Sequence, residues 1–373
     1  MIYLDAAATS LQKPRAVASS SAWAIRNLAS PGRGGHKAAM YAADTAFACR
    51  SELVELFHMD NPEKVIFTMN ATHALNIALH SAVRVGDRVV ISGYEHNAVT
   101  RPLYSLGAEV VVARSPLFDE DAALEAFDRA LPGADLCVCN HVSNVFGFIL
   151  PLRGIAKLCE KYGVTLIVDA SQSAGALDID FPALGAEYMA MPGHKGLFGP
   201  QGTGVLLCRD SALPLMQGGT GSNSACVEMP EELPDRLEAG THNVAGIAGL
   251  LQGVRFVRAT GTPRILRHER ELCQNLASRL SKLPGFEVFR AGIPELQAGV
   301  LSMRCQGISC ETFAEKLGER DVAVRAGLHC APTAHRTAGT IDTGTVRFSF
   351  SPFNYPAEIA KTAEMVGQIA AAR

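Results

Sequence analysis

Between about residues 60 and 210 the chain alternates short, β-branched apolar runs with longer amphipathic stretches. Seven runs read as strands: 64–68 (KVIFT), 88–92 (RVVIS), 109–113 (EVVVA), 135–140 (DLCVCN), 164–171 (VTLIVDAS), 187–191 (EYMAM) and 203–208 (TGVLLC). Several are apolar at consecutive rather than alternate positions, which suits strands covered on both faces. Between them, 73–84 and 151–163 carry helical spacing, and Pro151 and Gly163 bracket the second as a start and a stop. The pattern predicts a mostly parallel sheet with helices on both sides. From about residue 260 the texture changes: Leu266, Leu272, Leu276, Leu280 and Leu283 recur at helical intervals and predict a long helix over 263–283. It leads into a smaller α+β unit, with strands expected at 285–289, 299–305, 322–327 and 345–350 and helices near 309–319 and 356–371.

A length of 373 residues suggests two domains, at roughly 150 residues each. Lys+Arg of 34 against Asp+Glu of 37 gives a net charge of −3, with no run of like charge and no basic tail, which argues against a nucleic-acid surface. No stretch reaches the roughly 18 apolar residues that would span a bilayer, so no membrane role is expected. The N-terminus lacks a basic segment followed by an apolar one, and a cytoplasmic location is expected. Ten cysteines are scattered without a CxxC pair or a Cys/His ladder, so neither a disulfide framework nor a metal site is expected. Most read as small buried apolar residues, with Cys137 and Cys139 on one face of a strand.

Three segments concentrate chemistry. The first, 191–204 (MPGHKGLFGPQGTG), lies between two strands and holds Lys195 among five glycines. It reads either as a polar loop with a solvated lysine or as a desolvated amine able to form a Schiff base with a carbonyl. The second, 164–175 (VTLIVDASQSAG), ends an apolar strand in Asp169, 26 residues before Lys195. Alone, Asp169 reads equally as a turn residue. Together with a lysine one strand away it supplies what an aldehyde cofactor with a pyridine nitrogen needs, an amine for the imine and an acid for the ring. The third, 67–79, runs from a strand into a helix through Asn70, Ala71 and Thr72, whose backbone N–H groups suit a phosphate or simply begin a capped helix. His96, after the strand at 88–92, reads by itself as structural.

The motifs DAAATS (5–10), NAT (70–72), EHNAV (95–99), VSNVFG (142–147), VDASQSAG (168–175), PGHKGLFGPQGTG (192–204), EAGTHNVAGI (238–247), RAGLHC (325–330) and VRFSF (346–350) occur in order along nearly the whole chain. Together they resemble the class V aminotransferase group of pyridoxal-phosphate enzymes, and within it the cysteine desulfurases and selenocysteine lyases, in a short-loop side branch. The resemblance implies an α/β chain of the PLP-dependent transferase type I fold. Its large domain, with a seven-stranded mostly parallel sheet, falls over 15–258, and the small domain over 1–14 and 259–373. It also implies a homodimer and pyridoxal 5'-phosphate as cofactor.

Residue by residue, the resemblance implies that Lys195 carries the cofactor as a Schiff base, Asp169 meets the pyridine nitrogen and Gln172 the phenolic oxygen. His96 stacks on the ring and moves protons. The phosphate sits on Ala71, Thr72 and His194, with Thr241 reaching across from the other subunit. Asn144 and Arg347 meet the substrate carboxylate, a task suited to an arginine fork. Cys330 matches the desulfurase nucleophile that takes sulfur from L-cysteine, or selenium from L-selenocysteine, with His329 helping to keep it ionised and a protein or a thiol as sulfur acceptor. Another aminotransferase or β-lyase, with Cys330 an inert thiol, and a cofactor-binding scaffold without turnover are the alternatives. Three positions depart from the family pattern: Pro192 where serine is usual, Leu328 where histidine is usual, and His242 where proline is common.

Overall fold

The computed structural model describes residues 1–31, 34–222 and 224–371. In chain order the elements are β1 (Ile2–Tyr3), α1 (Arg15–Asn27), α2 (Lys37–Leu56), β2 (Val65–Thr68), α3 (Ala71–Ala82), β3 (Arg88–Ser92), α4 (Asn97–Ser105), β4 (Glu109–Ala113), α5 (Glu120–Ala130), β5 (Leu136–Asn140), α6 (Leu152–Tyr162), β6 (Thr165–Asp169), α7 (Phe181–Leu184), β7 (Tyr188–Pro192) and β8 (Gly204–Cys208). They continue with α8 (Val244–Thr260), α9 (Thr262–Leu280), β9 (Phe286–Phe289), β10 (Val300–Cys305), α10 (Cys310–Gly318), β11 (Val322–Ala323), β12 (Arg325–Gly327), α11 (Pro332–Thr337), β13 (Thr345–Ser349) and α12 (Pro356–Ala371).

All seven strands expected between residues 60 and 210 form one sheet, in the order β2-β8-β7-β6-β5-β3-β4. Only β8 runs against the others, pairing antiparallel with both β2 and β7. The consecutive apolar runs are explained by burial: β2, β5, β7 and β8 are buried at every position. Hydrophobic clusters cover both faces of the sheet, and Cys137 and Cys139 share one of them. Eight of the ten cysteines are buried, leaving Cys226 and Cys330 exposed.

A second, antiparallel sheet has the order β12-β13-β10-β9 and packs with α9 and α12 around Leu272, Leu276, Leu301, Phe313 and Phe348. The single strand expected at 322–327 is two strands in different sheets. Val322–Ala323 pairs in parallel with Ile2–Tyr3, while Arg325–Gly327 turns to pair with β13. Partners from opposite ends of the chain divide the segment, and a local apolar pattern carries no trace of that. Through β1 the first residues are stitched into this half of the molecule, and an isolated bridge joins Asp5 to Ser349.

Candidate active site

In an open α/β sheet the carboxyl ends of the parallel strands are where ligands bind, and a cleft lies there. It is lined by Ala71, Thr72, His96, Asn144, Asp169, Gln172, His194 and Lys195 among others, so eight of the eleven residues singled out from the sequence converge on it. The loops after β6 and β7 are pressed together backbone to backbone. A Cβ on Gly175, whose φ is +85°, would lie 2.1 Å from the Gly196 carbonyl oxygen, and one on Gly196 would lie 2.3 Å from that of Ala174. Only glycines permit this contact, and it fixes the Lys195 loop against the loop that follows Asp169.

Lys195 is partly buried at the cleft floor. Burial lowers its pKa from 10.5 to about 8, with Asp169 opposing the shift and Arg347 adding to it. Asp169 closes β6, is 4% exposed, and accepts a hydrogen bond from the Ser171 N–H at 2.9 Å. His96 caps α4: its Nδ1 accepts from the Ala98 N–H at 3.0 Å, which leaves the proton of the neutral ring on Nε2. Burial lowers its pKa to about 4, so the ring is neutral near pH 7.

Asn70 caps α3 by accepting from the His73 N–H at 2.9 Å. The first-turn N–H groups of Ala71 and Thr72 have no intrahelical partner, and a helix N-terminus of this kind receives an anion. His194 sits across the cleft with Nδ1 3.0 Å from Thr9 Oγ1, and Gln172 Nε2 donates to the Ala7 carbonyl at 3.1 Å. Thr241 is exposed on the segment before α8 and does not line the cleft of its own chain.

Arg347, on β13, is buried behind the cleft. Its Nη1 donates to the Asn144 carbonyl at 3.0 Å and its Nη2 to Asp5 at 2.8 Å. Asn144 Nδ2 donates to the His329 carbonyl at 2.9 Å. Asn144 Oδ1 and Arg347 Nε are buried without a hydrogen-bond partner among the described residues.

Cys330 is exposed, and its carbonyl accepts from the Asn97 N–H at 2.7 Å, which ties it to the residue after His96. His329 and Cys330 both lie in the left-handed region, with φ of 49° and 56°, a costly conformation for residues bearing a Cβ. His329 does not supply the charge expected beside the thiol. Its ring turns inward, with Nε2 3.2 Å from the carbonyl oxygen and Oγ1 of Thr345, and burial pushes its pKa down to about 2. The cation near the sulfur is Arg325, with Nη2 4.0 Å from Sγ. Sequence reasoning passed over Arg325, although RAGLHC contains it, because adjacency to a histidine was the stronger local signal.

Glu95 was also passed over. It is fully buried at the end of β3, where Oε1 accepts from Ser92 Oγ at 2.6 Å and from the Asn140 N–H at 2.8 Å. Burial raises its pKa from 4.5 to about 8, and the Asp169 charge adds to this. The folded chain thus holds a proton that the unfolded chain releases, and the contribution to stability is lost as pH rises from 4.5 toward 8. Glu95→Gln is expected to flatten that fall, measured as urea midpoints at pH 5 and pH 8. An unchanged slope in the variant would remove Glu95 as its cause.

The chain matches the Aminotransferase class-V family over residues 2–361. A probable cysteine desulfurase of Methanothermobacter thermautotrophicus is 30% identical, over 99% of this chain and 94% of that protein. Another, of Mycolicibacterium paratuberculosis, is 33% identical over 99% of this chain, which spans 55% of that protein's length. The apo structure of a cysteine desulfurase from Thermococcus onnurineus superposes with a TM-score of 0.92 at 28% identity, covering 100% of this chain and 95% of that one. Among the described residues no helix is long and apolar enough to cross a membrane.

Enzymes of this family depend on pyridoxal 5'-phosphate, and the cleft fits that group on its own chemistry. It combines an amine with a depressed pKa, a carboxylate at a strand end, unpaired helix N–H groups and a neutral imidazole. Its fold, its cleft and its match over nearly the full length agree: the chain belongs to the class V aminotransferase family of pyridoxal-phosphate enzymes.

Proposed function

We propose that this enzyme is a cysteine desulfurase, converting L-cysteine to L-alanine while the sulfur passes to Cys330 as a persulfide. The observation that carries the reading is the exposed Cys330 thiol, tied through its backbone to the residue after His96 and facing the Arg325 guanidinium. The thiolate is the nucleophilic form of such a sulfur.

Bound pyridoxal phosphate supplies an aldehyde carbon to hold the substrate amine and a ring that draws negative charge from the α-carbon. Lys195 Nζ, held near pKa 8, gives up its proton readily enough to act as a base at the α-carbon. The Asp169 carboxylate would hold a proton at the ring nitrogen, and the neutral His96 ring, with its Nε2 proton available, would lie over the cofactor. Ala71, Thr72 and His194 would hold the phosphate, Gln172 the phenolic oxygen, and Asn144 and Arg347 the substrate carboxylate. The Cys330 thiolate attacks the substrate sulfur, forming the S–S bond as the C–S bond breaks. That bond's electron pair stays on the β-carbon, which takes up a proton on the way to alanine. A thiol acceptor, on a small molecule or a protein, then removes the outer sulfur.

In this reading the large domain covers 15–258, and the small domain joins 1–14 to 259–373. The enzyme is a homodimer in which Thr241 completes the partner's phosphate site. Support comes from Trp23, Ile25, Met40, Tyr41 and Phe47, large apolar residues more than half exposed on α1 and α2, and from Thr241 lying outside its own cleft. A cytoplasmic location is supported by ten cysteines that are all free, as expected of a reducing compartment.

The test is product analysis with L-cysteine and a thiol reductant. Alanine and sulfide are expected in equal amounts; pyruvate and ammonia would assign a β-lyase instead. L-Selenocysteine run in parallel ranks the two substrates.

A further inference from the structure

The Arg347 guanidinium has a resident anion. Asp5 Oδ1 lies 2.8 Å from Nη2, at the far end of the sequence from β13, and the arginine side chain is only 2% exposed. Asp5 is placed by its backbone. It forms a bridge with Ser349, two residues beyond Arg347, and its carbonyl accepts from the Tyr3 hydroxyl at 3.1 Å and from the Ala8 N–H at 3.1 Å. The carboxylate is therefore a fixed post from which the guanidinium is set. Nη1 is set by the Asn144 carbonyl, leaving Nε as a buried donor with no acceptor among the described residues. Arg325 stands directly opposite Arg347 in the β12–β13 register. Arg325 faces the Cys330 sulfur, with Nη2 4.0 Å from Sγ, so the resident carboxylate pairs with Arg347, whose unused Nε is left for an incoming carboxylate.

We propose that Asp5 is a positioning residue for substrate recognition: it is the standing counter-ion that holds Arg347 at the angle from which the arginine receives the carboxylate of the amino-acid substrate. This rests on the reading above that Arg347 meets that carboxylate. Without Asp5 the buried arginine loses its one carboxylate partner among the described residues, swings toward whatever acceptor is near, and must be reset each time substrate binds. The cost falls on ligands that carry a carboxylate and spares those that do not.

The experiment compares holoenzymes with L-cysteine and with cysteamine, the same thiol amine lacking the carboxylate, whose affinity is followed by the cofactor absorbance. Asp5→Asn is expected to raise the L-cysteine KM about tenfold, with kcat within about twofold and cysteamine affinity unmoved. Asp5→Glu keeps the charge on a longer arm and is expected to raise the KM only about threefold, again without effect on cysteamine. It carries the test if Asp5→Asn fails to fold. An unchanged L-cysteine KM, or equal losses for both ligands, overturns the proposal. Arg347→Lys separates the two layers. If it too leaves the L-cysteine KM unchanged, the reading of Arg347 has failed; if it raises the KM while the Asp5 variants do not, only the role of Asp5 has.

Discussion

Lys195→Ala is expected to lower turnover of L-cysteine by about 10³-fold or more, the scale set by removing a positioned base, and to abolish the visible absorbance of lysine-bound cofactor. The two losses have one origin. Nζ is the only amine among the residues lining the cleft, and burial has brought it to a pKa of about 8, so that a useful fraction is unprotonated near neutrality. The pressed loops around Gly175 and Gly196 hold its backbone without help from the side chain, so the variant keeps its fold. Cofactor added to Lys195→Ala is still expected to bind through its phosphate and ring, but without the spectrum of the lysine adduct. A variant whose absorbance matches the parent's would withdraw Lys195 from the assignment.

Cys330→Ala is expected to do the reverse, retaining the cofactor spectrum while sulfide release from L-cysteine falls at least about 100-fold. The substitution is conformationally quiet. Cysteine and alanine both carry a Cβ and share the same penalty at a φ of 56°, so the loop keeps its shape and only the sulfur is removed. Alanine and sulfide must disappear together, because the thiol that accepts the sulfur is what releases the carbon skeleton. Parental rates in Cys330→Ala would make Cys330 one more inert thiol and transfer the enzyme to the lyase or transaminase class.

The large sheet was legible because its strands are buried on both faces and show as unbroken apolar runs bounded by turn residues. Helices α1 and α2 were not. Their buried residues include small ones such as Ala24, Ala39, Ala42 and Cys49, which pack close to α8 but leave no apolar stripe, while Trp23 and Phe47 point outward. Lys195 and Asp169 stood out because each follows a buried strand, a position with little use for a charge unless something binds there. Arg325, Asp5 and Glu95 did not, since their meaning lies in cross-strand register and in contacts between chain ends, and neither is written in any local window. The misjudged His329 makes the same point: its ring is buried against Thr345 while its sequence neighbour Cys330 is exposed, and adjacency in the chain does not reveal that.

The pairing of Asp5 with Arg347 also orders events during synthesis. The seven strands of the large sheet and the loops bearing Asp169 and Lys195 are complete once residue 208 has been made, and domains fold as units as the chain emerges. The arginine arrives 139 residues later, on a strand that pairs with segments from both ends of the chain. Until then the Asp5 carboxylate lacks its arginine, and β1 itself waits for β11, made only at residues 322–323. A nascent chain can therefore form the floor of its cleft long before it can tell an amino acid from an amine, and the capacity to discriminate comes only with the closing of the small sheet.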